Sequence, residues 1–401
     1  MQLTNRQIFQ QYLAIPAKLS NPIEIVKAKG IYLTSDTGKK YIDLVSGVSV
    51  SNVGHSHPKV IEAVKDQVDK YMHLMVYGKY IQSPQVRLTE ELVNNLPHSL
   101  NSVYFVNSGS EAIEGALKLS KRITGRTKII SFNNAYHGST HGALSILGNE
   151  EMKNAFRPLL PDIHFYEFNN TDVIEGITSD TACVVMEPIQ TEAGVLIPDS
   201  EWIVAIRNKC TATGTILIFD EVQMGFGRSG KLFAFEHFNI VPDILCLAKA
   251  MGSGMPIGAF ISSSDNMNLL THNPALGHIT TFGGHPVSCA ASLAGLKIIT
   301  QNKLHLKANS LGELFTELLI NQPLIKEIRQ IGLMLGVEIV SPYKVNELIY
   351  IFQDNGLIVD QFLFNESSFR IAPPLTITKD EIKIIASKII ESLNEFAAIN
   401  S

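Results

Sequence analysis

The chain has 401 residues, with 33 Lys plus Arg against 38 Asp plus Glu and a formal net charge of −5. Hydrophobic residues make up 45% and charged residues 18%, which is ample for a large core and unlike a disordered tail. At roughly 100–200 residues per domain the length suits two or three domains, and the mild acidity argues against a dedicated nucleic-acid binder, which would carry a basic footprint.

The first residues, Met1-Gln2-Leu3-Thr4-Asn5-Arg6, lack a basic stretch followed by an apolar one, so no signal peptide is expected. No run of about 18 apolar residues predicts a membrane span, and a cytoplasmic protein is the expectation. Residues 24–45 predict a hairpin turning at Asp36-Thr37-Gly38-Lys39. His55-Ser56-His57-Pro58 predicts a helix entry, with Pro58 near its first turn. Strands and helices then alternate. Val103–Val106 predicts a short buried strand, and a helix follows from about Glu111 to Arg122. Lys128–Ser131, Ala182–Met186, Thr215–Phe219 and Ile244–Ala248 predict further strands, with a helix from Trp202 to Thr213. Such alternation implies an α/β fold, with a mostly parallel sheet covered by helices on both faces. Ligands then bind at the carboxyl ends of the strands. The last hundred residues mix helices with short strands and close on a helix from about Lys379 to Ala397. We expect a large domain over 61–295 and a small α+β domain built from 1–60 and 296–401. Cys183, Cys210, Cys246 and Cys289 are far apart and form no CxxC pair, so buried thiols are expected rather than disulfides or a zinc ribbon.

Three strand ends carry chemistry. Asn107-Ser108-Gly109-Ser110-Glu111-Ala112 follows a strand and opens a helix, and Ser108 with Glu111 has the capping-box spacing. The free N–H groups and dipole of such a helix start suit a phosphate, although an ordinary capped helix would look the same. Phe219-Asp220-Glu221-Val222-Gln223 ends a strand in acids; Asp220 there could hold a cationic ring nitrogen or merely cap a turn. Lys249 follows an apolar run ending Leu247-Ala248, a setting that desolvates an amine and makes it nucleophilic at neutral pH. A lysine nucleophile, a phosphate cradle and an aspartate together suggest pyridoxal phosphate, with Lys249 as Schiff-base residue and Asp220 keeping the pyridinium protonated. Two other patterns carry less. Gly225-Phe226-Gly227-Arg228-Ser229-Gly230 matches G-x-G-x-x-G but stands five residues from its strand end, so the tight turn of a dinucleotide fold is missing. His137 and His141 have a zinc-like i, i+4 spacing, but Gly138 and Gly142 weaken a helix and no HExxH exists.

These residues resemble the class III aminotransferases, pyridoxal-phosphate enzymes of fold type I that include ornithine, acetylornithine, 4-aminobutyrate and putrescine aminotransferases. The resemblance runs from about Gly30 to about Thr378. It is carried by Asn-Ser-Gly-Ser-Glu-Ala at 107–112, Tyr-His-Gly at 136–138, Glu-Pro-Ile-Gln at 187–190, Asp-Glu-Val-Gln at 220–223, Ala-Lys-Ala at 248–250, Thr-Thr-Phe-Gly-Gly at 280–284 and Phe-Arg-Ile-Ala-Pro-Pro-Leu at 369–375. It implies that Lys249 bonds the cofactor and later moves the proton, and that Asp220 pairs with the ring nitrogen. Val222 and Tyr136 would sandwich the ring, Gln223 would sit near its phenolic oxygen, and Gly109 and Ser110 would hold the phosphate. Ser108, His137 and Glu187 also fall among the implied cofactor residues. Thr281 matches a threonine that reaches the phosphate from the other subunit, which implies a homodimer with shared active sites. Arg370 matches an arginine for a substrate carboxylate, and Glu192 an acid that covers that arginine while an ω-amine is bound.

Two positions depart from the pattern. Ornithine and acetylornithine enzymes commonly have a carboxylate-binding arginine where this chain has Ser139, and many members have Gly or Ser at Thr191. The expectation is an aminotransferase that moves nitrogen from an ω-amino donor, ornithine or acetylornithine type first, to 2-oxoglutarate. Putrescine, 4-aminobutyrate or lysine donors are the alternatives, as is an aminomutase of the same fold, which would need no external acceptor. A non-catalytic protein would have no need of Lys249, Asp220 and Arg370 together.

Overall fold

The computed structural model describes residues 3–17, 22–340, 342–343 and 345–400. Strands β1 (Ile25–Lys29), β2 (Tyr32–Ser35) and β3 (Lys40–Asp43) form the expected hairpin turns near the amino terminus. The central sheet holds β4 (Ser102–Val106), β5 (Lys128–Phe132), β6 (Ile163–Tyr166), β7 (Thr181–Met186), β8 (Ile216–Asp220), β9 (Ile244–Leu247) and β10 (Gly258–Ser262). Their order is β4-β10-β9-β8-β7-β5-β6. All pairings are parallel except those of β10, which runs antiparallel to both β4 and β9.

Alternation across this sheet is regular. Ile129, Cys183, Val185, Ile216, Ile218, Ile244 and Cys246 pack under one layer with the helix Gly109–Thr124. Their neighbours Ile130, Val184, Met186, Leu217, Phe219, Leu245 and Leu247 face the other, larger core. A strand covered on both faces reads as a continuous apolar run, which is why β7, β8 and β9 were legible. Val103–Val106 is a correction: the strand exists, but as the sheet edge it is only partly buried up to Val106. All four cysteines are buried free thiols.

The carboxyl-terminal part adds β11 (Ile325–Ile331), β12 (Met334–Ile339), β13 (Leu357–Ile358), β14 (Asp360–Phe362) and β15 (Asn365–Ile371). A second sheet has the order β11-β12-β15-β14, while β13 pairs parallel with β3 and so ties the late chain to the hairpin. The helix Pro286–Gln301 runs across position 295. The Gly225–Gly230 run is a string of turns. Its Arg228 is fully buried and donates to the carbonyls of Leu333 and Pro373 and to Asn52 Oδ1. Among the described residues no helix is long and apolar enough to cross a membrane.

Candidate active site

The carboxyl ends of β7, β8 and β9 and the start of helix Gly109–Thr124 enclose a cavity of about 600 Å³. Ser108 caps the helix, its Oγ accepting the Glu111 N–H at 3.2 Å. The N–H groups of Gly109 and Ser110 belong to the first turn and have no intrahelical acceptor, so the positive helix end is available to an anion. The capping box is not reciprocal: the Glu111 carboxylate accepts from the Asn107 N–H and Nδ2, at 2.8 and 2.9 Å, instead of from Ser108. A Cβ on Gly109 would stand 2.8 Å from Val222 Cγ2, so the helix start approaches the cavity floor closely. Gly138, at φ +125, likewise leaves room for Ser110, whose hydroxyl pairs with Thr140 Oγ1 at 2.7 Å.

Asp220 ends β8 and is buried. Its Oδ2 lies 2.8 Å from His137 Nδ1, and its Oδ1 accepts the Val222 N–H at 3.0 Å. Lys249 stands just beyond β9 with φ 48, a left-handed backbone rare for a side-chain-bearing residue. Its Nζ makes no hydrogen bond or ion pair among the described residues. Burial pushes its pKa down to about 8, against the opposing pull of Glu192. Tyr136 sits at the mouth, its hydroxyl 3.2 Å from Ser139 Oγ. Beside the cavity, Glu192 and Arg370 form a buried pair, with Arg370 Nη2 donating to both carboxylate oxygens at 2.7 and 2.8 Å. Gln223 Nε2 donates to the same carboxylate at 2.6 Å and links the pair to the cavity wall. Burial alone would raise the Glu192 carboxyl, but Arg370, Lys249 and Gln223 outweigh it and hold it below the usual glutamate range.

Every cofactor residue expected from the sequence lines this cavity except Thr281, which is exposed on the segment before helix Pro286–Gln301. Val50, Met255 and Ile257 also line it and were not foreseen. Val50 follows a left-handed turn in which Ser46, Gly47, Val48 and Ser49 all have φ between 54 and 61. Only Gly47 signals that conformation in the sequence. Asp43 Oδ1, accepting the N–H groups of Val45 and Ser46, helps to hold it.

The sequence model for aminotransferase class III matches residues 15–393. The chain belongs to the class III aminotransferases. It is 38% identical to the acetylornithine aminotransferase of Bacillus subtilis, covering 94% of this chain and 97% of that one. It is 34% identical to the [LysW]-aminoadipate semialdehyde/glutamate semialdehyde transaminase of Sulfolobus acidocaldarius, over 92% and 95% of the two. The ornithine aminotransferase of Toxoplasma gondii superposes with a TM-score of 0.89 at 29% identity, covering 97% of this chain and 94% of that one. That structure holds pyridoxal phosphate at partial occupancy in its active site. The cofactor is pyridoxal phosphate, and the residues here fit it. Two buried polar atoms at the cavity, His137 Nε2 and Gln223 Oε1, have no protein partner among the described residues. The open helix start suits a phosphate, and Asp220 and Lys249 offer a carboxylate and a free amine in the same cavity.

Thr191 has a definite place in this family site. Its hydroxyl and its N–H both donate to Glu187 Oε2, at 2.6 and 3.1 Å, while the Tyr136 N–H reaches Oε1 at 3.3 Å. Despite these donors, burial pushes the Glu187 carboxyl up to about 7, with Asp220 adding to the rise. A carboxyl raised in the folded state contributes stability that is complete below its ordinary value near 4.5 and is lost as pH rises through about 7. Glu187→Gln should therefore gain on the wild type between pH 5 and 8 in cofactor-stripped protein, by about 1–3 kcal/mol. Thermal melts across that range check it; parallel curves would refute the buried charge.

Proposed function

We propose that this protein is a homodimeric cytoplasmic ω-aminotransferase that takes nitrogen from a terminal amine and delivers it to 2-oxoglutarate. The observation that carries the reading is Arg370 held under Glu192 beside a free Lys249 amine. Bound pyridoxal phosphate supplies an electron sink for the pair left when a C–H bond beside nitrogen ionises. Lys249 Nζ would anchor the cofactor and then serve as the base that moves the proton; its depressed pKa keeps part of it unprotonated near neutrality. Asp220 would hold the proton on the ring nitrogen, and its contact with His137 fixes the direction of its carboxylate. Val222 and Tyr136 would bracket the ring, and the Gly109 and Ser110 N–H groups would bind the phosphate.

Glu192 neutralises Arg370 while an ω-amine is bound and yields it to the carboxylate of the oxo acid in the second half. The donor leaves as an aldehyde and 2-oxoglutarate leaves as glutamate, so nitrogen and hydrogens balance across the two halves. The named relatives favour an ornithine or acetylornithine type donor. One observation favours a second reading: among the described residues Lys249 and His137 are the only lining groups able to carry positive charge, and Ser139 occupies the position beside Tyr136. A diamine or other donor without an α-carboxylate suits such a wall.

A dimer is supported by apolar exposure around Thr281. Leu276, Ile279 and Phe282 are exposed there, as are Tyr77, Tyr80 and Ile81, and a groove lined by Tyr77, Leu276 and Ile279 joins the two segments. Such a patch suits an interface between two copies, and Thr281 would reach the partner's phosphate from it. Four free thiols suit a reducing compartment.

The test is a half-reaction panel on the cofactor-loaded protein. Ornithine, acetylornithine, putrescine, 4-aminobutyrate, lysine and glutamate are added in turn while the visible band is followed. We expect bleaching by an ω-amine, reversed by 2-oxoglutarate. Bleaching by acetylornithine names the first donor class, and bleaching by putrescine alone names the second. A yellow protein that none of them bleaches overturns the reading.

A further inference from the structure

The loop that carries Glu192 is anchored from the second sheet by a residue the mechanism has not used. Residues 190–196 form a tight turn, with Gln190 and Leu196 exchanging both backbone hydrogen bonds. Arg329, Gly336 and Arg370 stand directly opposite one another on β11, β12 and β15. Opposed residues of an antiparallel sheet project to the same face, so two arginines flank a glycine on one rung. The Glu192 loop lies over that glycine: a Cβ on Gly336 would stand 2.6 Å from the Gly194 carbonyl oxygen. Arg329 Nε donates to that same oxygen at 2.6 Å. Its Nη2 donates to Ser368 Oγ at 2.8 Å, two residues before Arg370. Its Nη1 donates to Glu327 and Glu338, both at 2.6 Å. One guanidinium thus clamps the strand bearing Arg370 and the loop bearing Glu192, its planar fork filling donors a lysine could not match.

We infer that Arg329 is a positioning residue that, with Gly336 as its seat, holds the Glu192 carboxylate on Arg370 and so sets how readily Arg370 is released to a dicarboxylate. This rests on the reading of Glu192 and Arg370 as a gate. Loss of the anchor weakens the pair, because the loop loses its carbonyl contact while Arg370 keeps its place in β15. The enzyme then discriminates less between ω-amine and α-carboxylate substrates.

The test uses the holoenzyme and two independent variants. Arg329→Met removes the donor. Gly336→Ala keeps Arg329 and pushes the loop off its seat. Affinity for glutarate, a dicarboxylate with no carbonyl to react, is read by calorimetry, together with kcat/KM for the ω-amine donor and for glutamate. Both variants should bind glutarate about five- to tenfold more tightly and lower the donor-to-glutamate ratio of kcat/KM by a similar factor. Glu327→Gln, which cuts only an exposed contact, should match wild type. Unchanged glutarate affinity, or equal loss of kcat/KM for both substrates as from a damaged fold, overturns the inference. Arg370→Met separates it from the underlying reading: if that variant binds glutarate and 2-oxoglutarate normally, the gate itself is wrong, whereas lost binding there with no effect at Arg329 and Gly336 condemns the anchor alone.

Discussion

Lys249→Ala should lower turnover by roughly four to six orders of magnitude, the scale on which an enzyme loses its nucleophile, while the fold persists. The backbone argument makes the variant clean. Lys249 has φ 48, and alanine carries the same Cβ, so the strain of about 1–2 kcal/mol is neither added nor relieved. The side chain makes no hydrogen bond or ion pair among the described residues, so none is lost. What disappears is an amine that burial already disfavours in its charged form, with its pKa down at about 8. The melting temperature of the cofactor-free variant at pH 7 should equal or exceed that of the wild type. Lys249→Arg separates nucleophile from charge, because a guanidinium stays protonated and cannot attack a carbonyl. It should be as inactive as alanine. Steady-state assays and thermal melts of the three proteins decide the matter; wild-type turnover in either variant would remove Lys249 from the chemistry.

Much of this site was legible because strands buried on both faces announce themselves and their polar terminal residues stand out. Asp220 and Lys249 each follow an apolar run that cannot continue. The parts that were not legible depend on distant contacts or on unusual backbone. β10 was missed because only residues 248–257 separate it from β9. A connection that short, holding only the single 3-10 turn Lys249–Gly252, joins antiparallel strands, and the alternation of strand and helix gives no cue for it. The left-handed turn before Val50 contains one glycine; its support comes from Asp43 and from Ser46 Oγ, which donates to the Ala372 carbonyl 326 residues away. Arg329 carries no local sequence signal, since its partners Gly194 and Ser368 lie 135 and 39 residues from it. The capping-box spacing held only by half for a nearer reason: Ser108 caps the helix, but an S-x-x-E spacing does not say which N–H the carboxylate will take, and Asn107 offers its backbone and side-chain N–H groups to it together.

Asp220→Asn should leave the cofactor in place and remove most of its reactivity. Asparagine keeps the shape of the end of β8. Its Oδ1 can still accept the Val222 N–H, and its other terminal atom can still meet His137 Nδ1 if the imidazole tautomer adjusts. The charge is gone, however, and a neutral amide does not hold a proton on a ring nitrogen as a carboxylate does. One preorganised electrostatic contact in a buried site is worth about 10²- to 10³-fold in rate, or roughly 3–4 kcal/mol. We expect kcat for the donor half-reaction to fall by that factor with KM for the ω-amine nearly unchanged, because the closed Glu192–Arg370 pair beside the cavity is untouched. Asp220→Ala should be worse, since it also leaves the buried His137 without its partner. Stopped-flow traces of the visible band give kcat and KM separately. A fall in KM-dependent affinity with kcat intact would mean that Asp220 builds the pocket but does not hold the proton, and the pyridinium contact would then have to be sought elsewhere among His137 and Gln223, whose buried Nε2 and Oε1 have no protein partner among the described residues.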